Sequence, residues 1–552
     1  MRIRLGRFTM KWKLFLLVIF IVLPAAPALG IQYNVNRTAD AADAIPGDCI
    51  CDANPPAGAC TLRAAIMEAN HCIGADKIIL QGRVYNLTKP PSPVSDEIGG
   101  DLDIDMDSAN SNSLTIRGTG RKTVINAAAI ADRVIQITGQ GERLLIENLT
   151  IAGGNAQLPL ATGGGIESYG DAVMLSNVAV KSNSAMAGGG IYNGNVMILN
   201  NVSVTGNNAQ DGGGIFNAFA NSVMTLNNVT IAENTSAGGG AGFSTKVGAI
   251  TNLNNVTVAR NTAGMQAGVI LIDTGGVVAT RNSIVSEQTQ GIDCQIINGS
   301  VVSSGYNIES ATSCGLTVAG DQQNVANVGL EFTLGNYGGA ADTLPLRWPS
   351  AAIDTGDPAG CFGDPNGDGI DSLLSEDQRG IARVDLVTIA NNAPAEVCDI
   401  SAAEMNDLVV NGTLSVAGGN LATNWNVLHP YFLDWATPFV HLVADGLNEE
   451  MSQTIQTLIN GLSGDQYLFR IRANTNVLLF PAMSAQIQYV DLNGVTQTAA
   501  TIVLNQQAGN WQAFSTVITI PADYTQLTVI ALSAPAWQNG YVEIDDVQLL
   551  IR

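Results

Sequence analysis

The middle of the chain repeats one short pattern of apolar and polar positions. Runs of alternating apolar and polar residues are broken by glycine and asparagine, and no ten-residue stretch there has the spacing of a helix face. A period of two predicts short β-strands separated by turns. One segment, an asparagine followed by alternating apolar positions, returns every 24 to 29 residues. Its copies are 148–151, 177–180, 201–204, 228–231, 255–258 and, more weakly, 282–285.

A second motif lies between the copies of the first. Three glycines and an apolar residue occupy 163–166, 188–191, 212–215 and, more weakly, 238–241, and a further asparagine follows four of the strands, at Asn183, Asn207, Asn234 and Asn261. So regular a period is typical of a repeat architecture. Three short strands per unit, stacked about 4.8 Å apart, would superimpose their inward apolar side chains, which predicts a parallel β-helix. Parallel crossovers are generally right-handed, and turn asparagines with left-handed backbone would form hydrogen-bonded ladders.

The first thirty residues have the pattern of a secretory signal peptide. Basic residues precede an unbroken apolar run of ten, Leu14 to Leu23, and Ala-Pro-Ala at 26–28 or Ala-Leu-Gly at 28–30 offers a cleavage site. The alternative is an uncleaved membrane anchor, but this run has about half of the roughly 20 residues that cross a bilayer. We expect residues 1–30 to be removed, leaving a secreted or cell-surface chain that begins near Ile31 and has no membrane span.

All eight cysteines follow the signal peptide. An even number of cysteines in an exported chain favours disulfide bonds. Four of them lie within 24 residues and allow three pairings. The predicted pairs are Cys49–Cys72, Cys51–Cys60, Cys294–Cys314 and Cys361–Cys398. The alternative for the first cluster is zinc, with His71 as an extra ligand, but the irregular spacing and the oxidising destination favour disulfides.

Three sets of motifs resemble known bacterial families. Gly-Gly-x-Ile alternating with a strand that ends in Asn resembles the repeat of chlamydial polymorphic outer-membrane proteins, at the level of the fold because that family's Phe is missing. Residues at 47–49, 60–66 and 68–70 resemble the CSLREA domain of bacterial surface proteins. A second family, the choice-of-anchor Q domain, is similar at 334–339, 352–357, 377–380 and 398–400. These resemblances imply a pectin-lyase-like β-helix over 101–405 behind a disulfide-bonded cap over 31–100.

One helix is predicted within the cap, over 62–71. Thr61 stands at its N-cap position, and Ala64 stands at N3, where the family's glutamate would complete a capping box. Four apolar residues form one face of this helix, Leu62, Ala65, Ile66 and Ala69. We interpret the helix as a cover for the open end of the β-helix; the alternative is a peptide that a receptor reads.

The composition changes after about residue 405. Strongly alternating segments such as 466–473, 485–490 and 542–549 predict the seven or eight strands of a jelly-roll β-sandwich over 406–552. Its two ends, 408–412 and 543–547, resemble those of galactose-binding-like, carbohydrate-binding-module domains. The resemblance implies glycan binding by aromatic rings; the alternative is that these rings belong to the sandwich core. The candidate sugar-stacking residues are Trp425, Tyr431, Trp435, Trp511 and Trp537.

Residues 364–371 offer a candidate calcium site. Asp364, Asn366, Asp368 and Asp371 place oxygen ligands around two glycines, as hard cations prefer. The bidentate glutamate of an EF-hand would fall at Ser375, so the segment is not an EF-hand. Asp371 in the eighth place instead resembles a thrombospondin type 3 calcium repeat. The same residues are equally typical of a turn. We expect no other cofactor.

Charge and histidine content exclude several function classes. A net charge of −23 excludes an electrostatic nucleic-acid binder. The three histidines lie far from any nucleophile pattern, so a Ser-His-Asp site has no support. Residues 144–290 carry seven carboxylates, of which only Glu167 and Asp171 form a close pair; hydrolysis of glycosides needs two at about 5–9.5 Å.

These observations predict an exported, adhesin-like, non-catalytic monomer that binds polysaccharide or cell-envelope glycan. The alternative is a polysaccharide lyase or glycoside hydrolase of the β-helix type that carries a carbohydrate-binding module. Two carboxylates converging in a cleft would favour the enzyme, whereas a smooth surface would favour the binding protein.

Overall fold

The structure is a computed structural model, and its described part begins at Gly30. The described residues are 30–54, 58–91, 97–106, 113–139, 143–156, 161–264, 267–337, 339–346, 350–353, 355–381, 383 and 398–403, followed by 426–428, 440–443, 449–461, 466–475, 484–503, 512–521, 524–534 and 541–551. The predicted signal peptide therefore lies outside the described residues, apart from Gly30.

A parallel β-helix forms the larger part of the structure. Its main sheet, sheet A, has fifteen strands. They are β1 (Gln32–Asn34), β2 (Ala75–Ile79), β3 (Val84–Asn86), β5 (Ser113–Arg117), β6 (Val124–Asn126), β8 (Leu144–Ala152), β10 (Val173–Lys181), β13 (Val196–Asn200), β14 (Ser203–Thr205), β17 (Val223–Ala232), β20 (Ile250–Ala259), β22 (Val277–Arg281), β23 (Ile284–Ser286), β25 (Ser300–Ser303) and β26 (Ile308–Glu309).

Two further parallel sheets complete the coils. Sheet B has eight strands and sheet C has three. The strands of sheet B are β4 (Leu102–Met106), β7 (Ile135–Gly139), β9 (Ile166–Ser168), β12 (Ile191–Asn193), β16 (Ile215–Asn217), β19 (Phe243–Thr245), β21 (Gly268–Asp273) and β24 (Ile292–Ile297). Those of sheet C are β11 (Ser184–Ala187), β15 (Asn208–Asp211) and β18 (Thr235–Ser236). The predicted parallel β-helix is confirmed.

The repeat places equivalent side chains on top of one another. One inward column of sheet A stacks six β-branched residues, all at most 4% exposed, in register: Ile151, Val180, Val204, Ile231, Val258 and Val285. Each such side chain stabilises the fold by about 2 kcal/mol when it is fully buried. The core is therefore a long column of small, similar contacts.

Asparagines form the predicted turns and ladders. The first asparagine of each repeat has left-handed backbone, with φ of 55° at Asn177, Asn201 and Asn228. A second set forms a buried ladder in which Asn183 donates to Asn207 and Asn207 donates to Asn234, each across 3.0 Å. Each amide also bonds main-chain groups of a neighbouring coil, so the turn polar groups are satisfied without water.

The helix α1 (Leu62–His71) lies against β4, the first strand of sheet B. The Thr61 side chain accepts a hydrogen bond from the Ala64 N–H, which confirms the predicted N-cap. Asn70 donates to the Asp103 carbonyl and accepts from the Asp105 N–H, so α1 satisfies main-chain groups of an edge strand. Such edges otherwise invite pairing with other chains.

Four disulfide bonds join all eight cysteines. They are Cys49–Cys72, Cys51–Cys60, Cys294–Cys314 and Cys361–Cys398, as predicted. The zinc alternative for the first cluster is therefore wrong, because its thiols are used in covalent pairs. His71 instead hydrogen-bonds the Met67 carbonyl at 2.8 Å. Four disulfides are compatible with an extracellular protein.

The segment after the last coil folds back along sheet A. We name the described residues of 355–403 the docked segment; it contains a two-stranded antiparallel ribbon, β27 (Phe362–Gly363) and β28 (Ser372–Leu373). Outward asparagines of sheet A donate to its carbonyls: Asn200 to Pro365, Asn227 to Asp364 and Asn228 to Glu376. The docked segment thus replaces water on the outer asparagines of the β-helix.

Two antiparallel sheets follow. The five-stranded sheet consists of β29 (Asn426–Leu428), β31 (Glu449–Gly461), β36 (Tyr524–Ala534), β33 (Ser484–Asp491) and β34 (Thr496–Val503). The four-stranded sheet consists of β30 (Val440–Val443), β37 (Tyr541–Ile551), β32 (Gln466–Thr475) and β35 (Gln512–Thr519). Phe469, Ile487 and Val529 are fully buried in these sheets. The predicted all-β class is confirmed. Among the described residues, no helix is both long and apolar enough to cross a membrane.

Candidate functional site

The outer face of sheet B carries a row of side chains set by the repeat. The residue after the inward apolar position of each strand points outward, because successive side chains of a strand alternate between faces. Strand pairing aligns Gln136, Glu167, Tyr192, Phe216 and Ser244 in this row. Carboxylate, aromatic and hydroxyl groups therefore follow one another at intervals of one coil.

Four rings of this face form an aromatic cluster, defined here as Tyr169, Tyr192, Phe216 and Phe219. Tyr192 and Phe216 stack with centroids 5.4 Å apart and planes 5° from parallel. Tyr169 lies 6.0 Å and Phe219 6.2 Å from the Tyr192 ring. Tyr169 is 38% exposed and Phe219 is 47% exposed, so the cluster offers rings to solvent at both edges.

Hydrogen bonds hold the cluster in place. The Tyr169 hydroxyl donates to Glu167 Oε1 at 3.3 Å. Burial, with the nearby Glu167 charge, raises the pKa of Tyr169. Arg133 pairs with Glu167 Oε2 at 3.1 Å. The contacts of Glu167 with Arg133 and Tyr169 therefore fix the Tyr169 ring before any ligand arrives.

The opposite side of the cluster carries a second charged group. Lys246 lies 2.9 Å from Asp211 and 3.6 Å from Asp273, and its ammonium is 5.8 Å from the centre of the Phe216 ring. Ser244 donates to Asp211 at 2.5 Å. With Glu167, Asp171 and Arg133 on the other side, the cluster is flanked by four carboxylates and two cations. Its surroundings are therefore net acidic.

The two carboxylates considered for hydrolysis have other partners. Glu167 accepts from Gln136 at 2.8 Å and from the Thr162 hydroxyl, besides Tyr169 and Arg133. Asp171 accepts from the Asn195 amide. Both carboxylates therefore position neighbouring side chains in this structure.

The predicted calcium loop is organised by Asp364. Its Oδ1 accepts from the N–H groups of Gly367 and Asp368 at 2.7 and 3.1 Å, and its Oδ2 accepts from Gly369 at 3.0 Å. Asp368 accepts from the Ile370 N–H at 2.9 Å. A side chain at Gly367, where φ is +73°, would collide with Ile198 of sheet A. Glycine at 367 therefore allows the loop to lie close to the β-helix.

The calcium candidates do not converge on one point. Asp371 pairs with Arg281 at 3.2 Å, and the Asn366 side chain is exposed. Among the described residues, the metal-compatible acidic, cysteine or histidine groups are Asp43–Asp48–Glu68 and Cys49–Glu68–Cys72, and neither includes this loop. A cavity of about 230 Å³ lies between the loop and sheet A, lined by Arg281, Asp364 and Asp371 among others. Calcium binding at 364–371 stays a prediction.

The sugar-stacking candidates Trp425, Tyr431, Trp435, Trp511 and Trp537 lie outside the described residues. The aromatic cluster of sheet B was not among the predicted sites. A signal was present, since Tyr192 and Phe216 directly follow the Gly-Gly-Gly-Ile motif of successive repeats, where Glu167 stands one repeat earlier. Aligning the column after the motif would have revealed adjacent rings.

No family model matches the chain, and no curated protein matches it. Solved carbohydrate-binding modules are similar to part of it. The N-terminal cellulose-binding domain of Cellulomonas fimi β-1,4-glucanase C is 14% identical, covers 26% of this chain and 95% of its own length, and has a TM-score of 0.20. The CBM22-1 xylan-binding domain from Paenibacillus barcinonensis is 12% identical, covers 27% and 96%, and has a TM-score of 0.21. A module solved with β-1,4-galactotriose, TmCBM61, is 13% identical, covers 27% and 99%, and has a TM-score of 0.19.

Proposed function

We propose that this protein is exported and binds neutral glycan chains on the aromatic cluster of sheet B, without cleaving them. The observation that carries the proposal is the stacked pair Tyr192 and Phe216 with the exposed rings of Tyr169 and Phe219 beside it. Aromatic rings stack on the C–H faces of sugar rings, and a tyrosine hydroxyl can stay hydrogen-bonded at a hydrated surface. Rings fixed in advance lose little side-chain entropy on binding.

The charges around the cluster support a neutral glycan. Four carboxylates, Glu167, Asp171, Asp211 and Asp273, face two cations, Arg133 and Lys246, and the whole chain has a net charge of −23. An acidic polysaccharide would meet repulsion at this surface. The carboxylates can instead accept hydrogen bonds from sugar hydroxyls, and the Asn195 amide can both donate and accept them.

The partners of the carboxylates support binding without cleavage. Glycoside hydrolysis requires one carboxylic acid and one carboxylate free to act on the substrate. Glu167 is engaged by an arginine, an amide and two hydroxyls, and Asp171 is engaged by an amide. Both oxygens of Glu167 are therefore engaged, so this pair lacks one of the two free carboxyl groups that hydrolysis needs.

Export is supported by the sequence of residues 1–30 and by the four disulfides. In an oxidising compartment such bonds persist. An exported protein with a glycan-binding surface fits an adhesin-like role at a cell envelope or a polysaccharide matrix. The tryptophans of 406–552 stay predicted sugar-stacking residues.

A glycan array tests the proposal. The chain from Ile31 to Arg552 is applied to immobilised neutral and acidic polysaccharides, and each glycan that binds is then incubated with the protein in a reducing-sugar assay. We expect binding to neutral glycans and no release of reducing ends. Binding confined to acidic glycans, or release of reducing sugar above that of a heat-denatured sample, would contradict the proposal.

A further inference from the structure

The first strand places a main-chain nitrogen against a buried carboxylate. The Ile31 N–H donates a 2.7 Å hydrogen bond to Oδ1 of Asp76, a residue that is 2% exposed. The other oxygen, Oδ2, is also buried and has no hydrogen-bond partner. An ionised carboxylate has about four acceptor sites, and burying it without donors or a counter-charge is unfavourable.

The surrounding backbone fixes this arrangement. Strand β1 pairs in parallel with β2, with Gln32 opposite Lys77, and the Lys77 N–H donates to the Ile31 carbonyl at 2.8 Å. Burial raises the pKa of Asp76, and the amide of Ile31 is the one group that acts in the opposite sense. In the described part of the chain, no basic side chain contributes to the pKa of this carboxylate.

We propose that hydrolysis of the Gly30–Ile31 peptide bond supplies the missing counter-charge, because the new α-ammonium group of Ile31 forms a buried ion pair with Asp76. This inference rests on the proposed removal of residues 1–30. A peptidase consumes one water molecule, and the new carboxylate stays on Gly30 and leaves with the signal peptide. The oxygen of the water ends in that carboxylate and both of its hydrogens end as protons on the Ile31 nitrogen, which then carries three N–H donors and a positive charge.

The ion pair requires a chain that starts at Ile31. A start at Leu29 keeps an amide at the Ile31 nitrogen and places the ammonium group two residues upstream. In the uncleaved chain, a Cβ at Gly30 would lie 1.8 Å from the Ala75 carbonyl oxygen, so the chain passes β2 only with glycine there. Cleavage at this bond therefore decides whether the nitrogen that faces Asp76 is an amide or an ammonium group.

The experiment compares two N-termini, Ile31 and Leu29, each with Asp76 or with Asp76→Asn. The proteins are released from a removable N-terminal fusion and folded with their disulfides intact. An amine-acylating reagent is applied near neutral pH, and modification of the N-terminal amine is followed by mass spectrometry. We expect Ile31 to react about tenfold more slowly than Leu29, which corresponds to a rise of one unit in the amine pKa. Asp76→Asn should restore the fast rate, and the exposed-carboxylate control Asp48→Asn should not.

Two outcomes would overturn the ion pair. The first is an equal acylation rate of the N-terminal amine in the Ile31 and Leu29 chains that keep Asp76. This comparison does not depend on whether Asp76→Asn folds. A slow Ile31 rate that persists in folded Asp76→Asn is the second, because burial alone would then protect the amine. N-terminal sequencing of the exported protein tests the processing separately: a start at Ile31 is expected, and any other start would refute cleavage at this bond.

Discussion

The hydroxyl of Tyr169 donates a hydrogen bond to Glu167, and this contact joins the exposed edge of the aromatic cluster to a charged pair. Glu167 is held in turn by Arg133 at 3.1 Å. One ring available to a ligand is thus positioned by Glu167, a member of the one close carboxylate pair in residues 144–290. Glu167 therefore positions a ring and does not act as a catalytic acid or base in this account, because both of its oxygens are already bound by neighbouring side chains.

Removing only that hydroxyl separates positioning from stacking. Tyr169→Phe keeps the ring and loses the hydrogen bond to Glu167, so glycan affinity should fall by up to about fivefold, since such a bond is worth about 1 kcal/mol. Tyr169→Ala loses the ring as well and should bind more weakly than Tyr169→Phe. Titration calorimetry with the strongest array glycan measures both. Equal affinities of the two variants would show that the ring does not stack on the sugar.

The asparagine ladder should be a major source of stability. Asn207→Ala leaves buried groups of Asn183 and the Val180 carbonyl without their partners. Each unsatisfied group costs about 1–3 kcal/mol, so we expect a loss of about 3 kcal/mol or more in the free energy of unfolding, measured by urea denaturation. The neighbouring exposed Asn208→Ala is the matched control and should change stability by less than about 0.5 kcal/mol. Similar losses for both variants would contradict the ladder's role.

Calcium at 364–371 can be tested by thermal unfolding with and without a chelator. If Asp368 is a ligand, a chelator should lower the melting temperature of the unmodified protein, and Asp368→Ala should remove the difference. Asp48→Ala, in the separate acidic group Asp43–Asp48–Glu68, should keep it. A chelator effect that survives Asp368→Ala but disappears in Asp48→Ala would place the ion at the other group.

Ionisation of one buried carboxylate, Asp101, should lower the stability of the fold as the pH rises toward neutrality. Burial, with the charges of Asp132 and Asp103, raises the pKa of Asp101 to about 7, although Arg133 acts in the opposite sense. Because the folded-state pKa lies above the unfolded value, the neutral form stabilises the fold below about pH 4. This contribution is lost as the pH rises through about 7.

The variant Asp101→Asn keeps a neutral side chain at every pH. At pH 8 it should be more stable than the unmodified protein by about 3 kcal/mol, whereas near pH 4.5 the two should differ by no more than about 1 kcal/mol. Urea unfolding at both pH values measures the difference. An asparagine variant that is less stable than the unmodified protein at pH 8 would show that Arg133 holds Asp101 ionised.

Local and periodic features were predictable from the sequence. The left-handed asparagines, the Asn183–Asn207 ladder and the Thr61 cap each follow from spacing within one coil or between adjacent coils. The disulfides within the cap and the Cys294–Cys314 bond could also be predicted from local spacing, because each closes a short loop.

Contacts between distant segments were not predictable. Asn227 and Asp364 are 137 residues apart, and no period links them, so the contact of the docked segment with sheet A has no signature in the sequence. The aromatic cluster needed the strand register, which sets Tyr192 beside Phe216. Composition identifies rings, but only the register decides which rings meet.

One titration tests most directly whether the aromatic cluster is the glycan-binding surface. The double variant Tyr169→Ala, Phe219→Ala is compared with Phe332→Ala, which removes a ring that is 67% exposed but lies outside the cluster. With the strongest array glycan, we expect the double variant to bind at least about tenfold more weakly, or about 1.4 kcal/mol, and Phe332→Ala to bind like the unmodified protein. An unchanged affinity in a folded double variant would contradict the account.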